Sequence, residues 1–169
     1  MARIRFRTIV TRPRPALPFA RLMEAARMSA AADTRATIIP CLRYRDAHAA
    51  IDWLCRAFGF ERHAVYEQDG MVLHAQLSFG NGMVMLGSVD GISEWGKLIV
   101  QPGEVGGRET QSACVVVADA DAHHAQAVAA GAEVVIALSD QGYGGRGYAC
   151  RDPEGHLWWF GDYDPWRQA

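Results

Sequence analysis

No apolar run in this 169-residue chain approaches the roughly 20 residues a helix needs to cross a bilayer, so no transmembrane helix is expected. The first residues lack the charged-then-apolar pattern of a secretory signal. Four cysteines occur without one C-x-x-C pair, which argues against a disulfide scaffold and a zinc ribbon and points to a reducing cytoplasm. No G-x-x-x-x-G-K-[ST] loop is present; Gly144-Gly145-Arg146-Gly147 lacks that spacing, so its glycines read as turn residues. What is present is ordinary for a folded protein: 50% hydrophobic and 21% charged residues, enough for one domain or two small fused modules.

The net charge of −2 hides a division. Residues 1–32 hold seven arginines against one acid, Glu24, which leaves ten basic and eighteen acidic residues over 33–169. A domain that acidic repels a phosphate backbone, so nucleic acid is not expected as its partner. The leader carries turn breakers (Pro13, Pro15, Pro18) and little periodicity. Three readings of it stay open: a targeting segment, a flexible tail, or an upstream start with Met28 as the initiator. None of them gives it the function.

The rest of the chain repeats itself. Strand-like residues 36–45 lead to Asp46, a good helix N-cap, and Ile51, Leu54, Cys55 and Phe58 then form one apolar helical stripe that Gly59 ends. Strands follow at 60–67, 71–79 and 83–87, separated by turns at Asp69-Gly70 and Gly80-Asn81-Gly82. The order returns as strand 111–118, cap Asp119, helix 120–130, stop Gly131, and strands 132–138, 148–151 and 156–161. Asp46 and Asp119, Cys41 and Cys114, and Gly82 and Gly155 are each 73 apart, and Gly59 and Gly131 are 72 apart. Two βαβββ modules are therefore expected, at about 36–87 and 111–164, joined by a connector over 88–110. One helix covers only one face of a four-stranded sheet, so the other face must meet a ligand, the other module or a second chain.

Cys41-Leu42-Arg43-Tyr44-Arg45-Asp46, Ala57-Phe58-Gly59-Phe60 and Arg151-Asp152-Pro153-Glu154-Gly155-His156, in that order and spacing, resemble the glyoxalase/bleomycin resistance/extradiol dioxygenase (vicinal oxygen chelate) superfamily. The resemblance covers about 36–164 and implies an α+β fold: cupped mixed sheets around a central cleft, often as a dimer. The family's enzymes hold a divalent metal at four places that read here Ile39, Ser112, Leu86 and Trp159. Isoleucine and leucine cannot ligate, tryptophan offers only an N–H, and a neutral serine is a poor ligand. The resemblance is therefore to the metal-free branch, which includes antibiotic-sequestering resistance proteins, and no cofactor or metal is expected.

Strand alternation then nominates site residues. Ala75, Leu77 and Phe79 should pack under the helix, leaving His74, Gln76 and Ser78 on the open face; Leu42 and Tyr44 inward turns Cys41 and Arg43 outward. Trp159, at a metal-carboxylate position, should replace a cation site by a stacking surface. A ligand is thus expected between the modules beside Trp159 and Tyr148, within reach of Arg43, His74 and Gln76. His48, His123, His124 and His156 read as solvated or locally bonded, and Cys41 and Cys114 as buried thiols without a base. No catalytic residue is identifiable. The expectation is a small-molecule-binding homodimer, with sequestration of an antibiotic or toxin as its role. The alternatives are a lyase, isomerase or dioxygenase with a relocated metal or an acid–base His74, and a protein-interaction module.

Overall fold

A computed structural model describes residues 34–167. The basic leader 1–32 lies outside the described residues. The chain divides into two units, Met1–Thr37 and Ile38–Ala169, and the fold below is that of the second.

The expected α+β order is present: β1 (Cys41–Tyr44), α1 (Ala47–Phe58), β2 (Glu61–Gln68), β3 (Met71–Phe79) and β4 (Gly82–Ser88), then β5 (Ala113–Val116), α2 (Ala120–Ala129), β6 (Glu133–Asp140), β7 (Arg146–Arg151) and β8 (Leu157–Gly161). Two mixed four-stranded sheets result, ordered β1-β4-β3-β2 and β5-β8-β7-β6, with the first and last strand of each module parallel. Strand β1 is shorter than the strand-like run 36–45, and β7 begins inside the Gly-rich stretch expected as turn. Between the modules lie two short 3-10 turns, Gly96–Leu98 and Pro102–Val105. Among the described residues no helix is long and apolar enough to cross a membrane.

Local chemistry accounts for the boundaries. The Asp46 carboxylate accepts from the Ala49 N–H at 2.9 Å and Asp119 does the same for Ala122 at 2.9 Å, each satisfying a donor that the first helical turn leaves free. Gly59 ends α1 at φ +78°, a left-handed cap that costs glycine little. Asp69 and Gly70, both at positive φ, close the β2–β3 hairpin.

The two helices lock to each other. Carbonyls in the last turn of α1 have no helical donor; Gln126 of α2 donates to those of Arg56 and Ala57, and His123 reaches that of Phe58 at 3.2 Å. In return, the Trp53 indole N–H donates to the Ala130 carbonyl at 2.8 Å. Phe58 sits where the modules meet, with ring centroids 4.5 Å from Phe160 and 5.5 Å from Trp158. Both sheets therefore turn their helix-covered faces toward one shared core, and their open faces point away from it.

Candidate functional site

The pairing registers settle which side chains share each open face. On the first sheet Cys41 pairs with Met85, Arg43 with Gly87 and Gln76 with Met85, so these and His74 lie opposite the partly buried Leu42 and the buried Leu86 and Ala75. The Gln76 amide donates to His74 Nε2 at 3.1 Å, and Tyr66 stacks on the His74 ring. The Arg43 guanidinium lies over Gly87, where a Cβ would come within 2.6 Å of it, and donates to the Ser88 carbonyl at 3.1 Å.

On the second sheet Trp158 and Phe160 are buried and Trp159 faces outward, beside Cys114. Its indole spreads across Gly147 and Gly161, where added Cβ atoms would meet it at 2.9 and 3.4 Å. The two glycines thus leave room for the ring to lie against the sheet with its outer face free.

Three expectations are corrected. Tyr148 pairs with Phe160 and is wholly buried on the core side, so it does not meet a ligand on the open face. Its hydroxyl is 2.8 Å from His123 Nδ1; His123 Nε2 must carry the proton for the Phe58 carbonyl, so Tyr148 donates. Burial holds His123 below its ordinary pKa, consistent with this neutral ring. Second, the counterpart of Trp159 is Met85, not Leu86, because Cys41 pairs with Met85 as Cys114 pairs with Trp159. Third, Cys41 and Cys114 are exposed on the open faces; only Cys150 is fully buried. The structure brings Arg43, His74 and Gln76 to one face and Trp159 to another, since both sheets back onto the same core.

A buried polar cluster at the junction was not foreseen. Asp152 accepts from the Tyr44 hydroxyl at 2.7 Å, the Trp158 indole at 3.1 Å, and the backbone N–H groups of Glu154 and His156. Burial raises its carboxyl above the usual range against the pull of these donors and of His156. Glu154 accepts from the Arg45 and Asp46 N–H groups at the end of β1. His156 Nδ1 meets Glu109 Oε1 at 2.8 Å and Nε2 meets the Arg43 carbonyl at 2.9 Å. The other Glu109 oxygen accepts from the Leu157 N–H. His156, expected to be solvated or locally bonded, is instead buried with distant partners; in the sequence Asp152 and Glu154 stand out only as part of the turn motif, and Glu109 lies in a loop without periodicity.

With acceptors on both ring nitrogens, His156 makes both bonds only as the imidazolium. Burial opposes that charge, but the Glu109 hydrogen bond, the Asp152 charge and the Arg43 carbonyl outweigh it and raise the pKa above its ordinary 6.5. A raised histidine adds stability that is complete below the unfolded pKa and lost as pH climbs through the folded one. The thermal midpoint advantage of the parent over His156→Gln is therefore expected to shrink from pH 6 to pH 9. Paired calorimetric scans test this, and a pH-independent difference would mean a neutral ring.

A cleft of about 730 Å³ runs between the modules, bounded by the outer edge of β1, the connector and the starts of β5 and β8. Arg43 and Leu157 line it, whereas His74, Gln76 and Trp159 do not. Neither open face offers a metal its donors. Met85 and Trp159 stand where the carboxylates would be, and among the described residues no three His, Cys, Asp or Glu side chains group closely enough to hold an ion. The residues do not fit the family's metal.

A sequence model described as Glyoxalase/Bleomycin resistance protein/Dioxygenase superfamily matches residues 36–160. An uncharacterized protein of Mycobacterium tuberculosis, Rv0887c, is 37% identical over 123 residues, which is 72% of this chain and 71% of that protein. Among solved structures, TioX from Micromonospora sp. ML1 is 36% identical with a TM-score of 0.59, covering 75% of this chain and 94% of TioX. A bleomycin resistance determinant encoded on the transposon Tn5 has a TM-score of 0.53 at 20% identity, covering 76% of this chain and 98% of its own; that likeness is one of fold.

Proposed function

The chain belongs to the Glyoxalase/Bleomycin resistance protein/Dioxygenase superfamily, and from that premise we propose that it is a metal-free protein that binds a small molecule and withholds it from solution. The observation that carries this reading is the Trp159 indole, laid over Gly147 and Gly161 at the place of a metal carboxylate. A flat apolar ring in that position repels a hydrated cation and receives a planar ligand by stacking. Arg43, His74 and Gln76 on the other open face supply directed hydrogen bonds to the same ligand.

One chain keeps these faces apart, so the reading includes a homodimer in which the first sheet of one chain opposes the second sheet of its partner. Exposed Leu73 and Val116, at 51% and 42%, support such a contact. Four free thiols suit a reducing cytoplasm. An acid–base role for His74 is disfavoured because its Nε2 is already occupied by the Gln76 amide.

The test is elemental analysis and light scattering of dialysed protein, followed by a thermal-shift screen of planar aromatic compounds. The expected outcome is no stoichiometric transition metal, the mass of two chains, and stabilisation by at least one aromatic class. One firmly held metal per chain, or a monomeric mass at micromolar concentration, would overturn the corresponding part.

A further inference from the structure

The cleft between the modules lies apart from Trp159, and its lining has a chemistry of its own. At about 730 Å³ it falls within the roughly 300–1,000 Å³ of small-molecule sites. The connector turns Leu98 and Val100 toward it, although these side chains are 79% and 54% exposed, and Leu42 and Leu157 form the facing wall. Exposed aliphatic side chains converging on one hollow mark a surface that something apolar covers.

Charge identifies the occupant. The one carboxylate in the lining, Glu109, is fully engaged by His156 and the Leu157 N–H, and the imidazolium cancels its charge. Two guanidiniums remain. Arg43 spends Nη1 on the Ser88 carbonyl and forms no ion pair, although its charge reaches the exposed Asp90 carboxylate outside the lining, and Arg108 forms no ion pair among the described residues. Residues 33–169 carry eighteen acids against ten basic residues, so a hollow lined by two arginines without ion pairs stands out from its surroundings. Guanidinium forks match carboxylate and phosphate oxygens.

We propose that this cleft is a second binding site, selective for an amphiphilic organic anion: a carboxylate or phosphate head held by Arg43 and Arg108, with an apolar body against Leu98, Val100 and Leu157. It goes beyond the stacking site, because Trp159, His74 and Gln76 do not line it and Arg43 is the one residue the two sites share.

Titration calorimetry with decanoate, decyl phosphate and decanol tests the proposal. At least one anion is expected to bind ten or more times tighter than decanol. Arg108→Glu, at an exposed position that leaves the fold intact, is expected to weaken the anion about tenfold, the scale of one guanidinium contact, and to leave decanol unchanged. Leu98→Asp, equally exposed, should weaken the anion as well by placing a like charge in the hollow. Trp159→Ala should leave anion binding within twofold of the parent. The proposal is overturned if neither anion binds, if decanol matches them, or if Arg108→Glu has no effect. It is also overturned if Trp159→Ala abolishes binding, which would move the anion to the stacking site. A stacking site that fails its own screen leaves every one of these readouts intact.

Discussion

Asp152→Ala is expected to destabilise the domain by about 3–5 kcal/mol, the range for removing one partner from a buried charged cluster. The carboxylate is only 5% exposed and holds four donors: the Tyr44 hydroxyl, the Trp158 indole and the N–H groups of Glu154 and His156. Truncation strands all four in a site with little access to water, and each stranded donor costs about 1–3 kcal/mol unless it relaxes. It also removes the anion beside the His156 imidazolium, which then faces Glu109 alone. Because Tyr44 belongs to the first module and Trp158 to the second, the loss falls on the junction itself. Asp152→Asn keeps the shape and one acceptor but turns an amide N–H₂ toward two donors, so its expected loss is smaller. Urea unfolding followed by tryptophan fluorescence measures both. A loss below about 1 kcal/mol for the alanine variant would mean that water replaces the carboxylate and that the cluster does not join the modules.

Trp159→Ala should weaken binding of a planar ligand by about 1–3 kcal/mol, or roughly 5- to 150-fold, the scale of a lost aromatic contact. The same change should cost the fold little. Trp159 is partly exposed and lies on the open side, whereas its neighbours Trp158 and Phe160 form the core. This separation gives the variant its use: affinity falls while the thermal midpoint holds. Gly147→Ala probes the same geometry from beneath, since its Cβ would come within 2.9 Å of the indole and lift it from the sheet. Equal affinity in the parent and Trp159→Ala would place the stacking site elsewhere.

Several features of the fold were legible because they are local. The caps Asp46 and Asp119 each need one carboxylate at one position, and Gly59 needs only the freedom of positive φ. Alternation along β3 assigned His74 and Gln76 to the open face, because Ala75 and Leu77 mark the other side without ambiguity. Tyr148 was misplaced for the opposite reason. Residues 147–150 read Gly-Tyr-Ala-Cys and all four are buried, so no polar residue tells one face from the other. Leu86 failed through register. The second module has one more residue between its first and last strands than the first, and a single step moves a side chain to the opposite face.

By itself, then, the amino-acid sequence determined two βαβββ repeats, their helix ends, and the outward Arg43, His74, Gln76 and Trp159. Each follows from short-range stereochemistry or from the identity of one side chain. Tertiary structure alone decided that both sheets back onto one core, which parts the two open faces. It also decided that His156 bridges Glu109 of the connector and the Arg43 carbonyl of the first module, and that Arg43 and Arg108 line one cleft. These contacts join residues far apart in the chain, and no periodicity records such a distance. They arise only when Phe58, Trp158 and Phe160 remove their apolar surface from water together and set the angle between the modules.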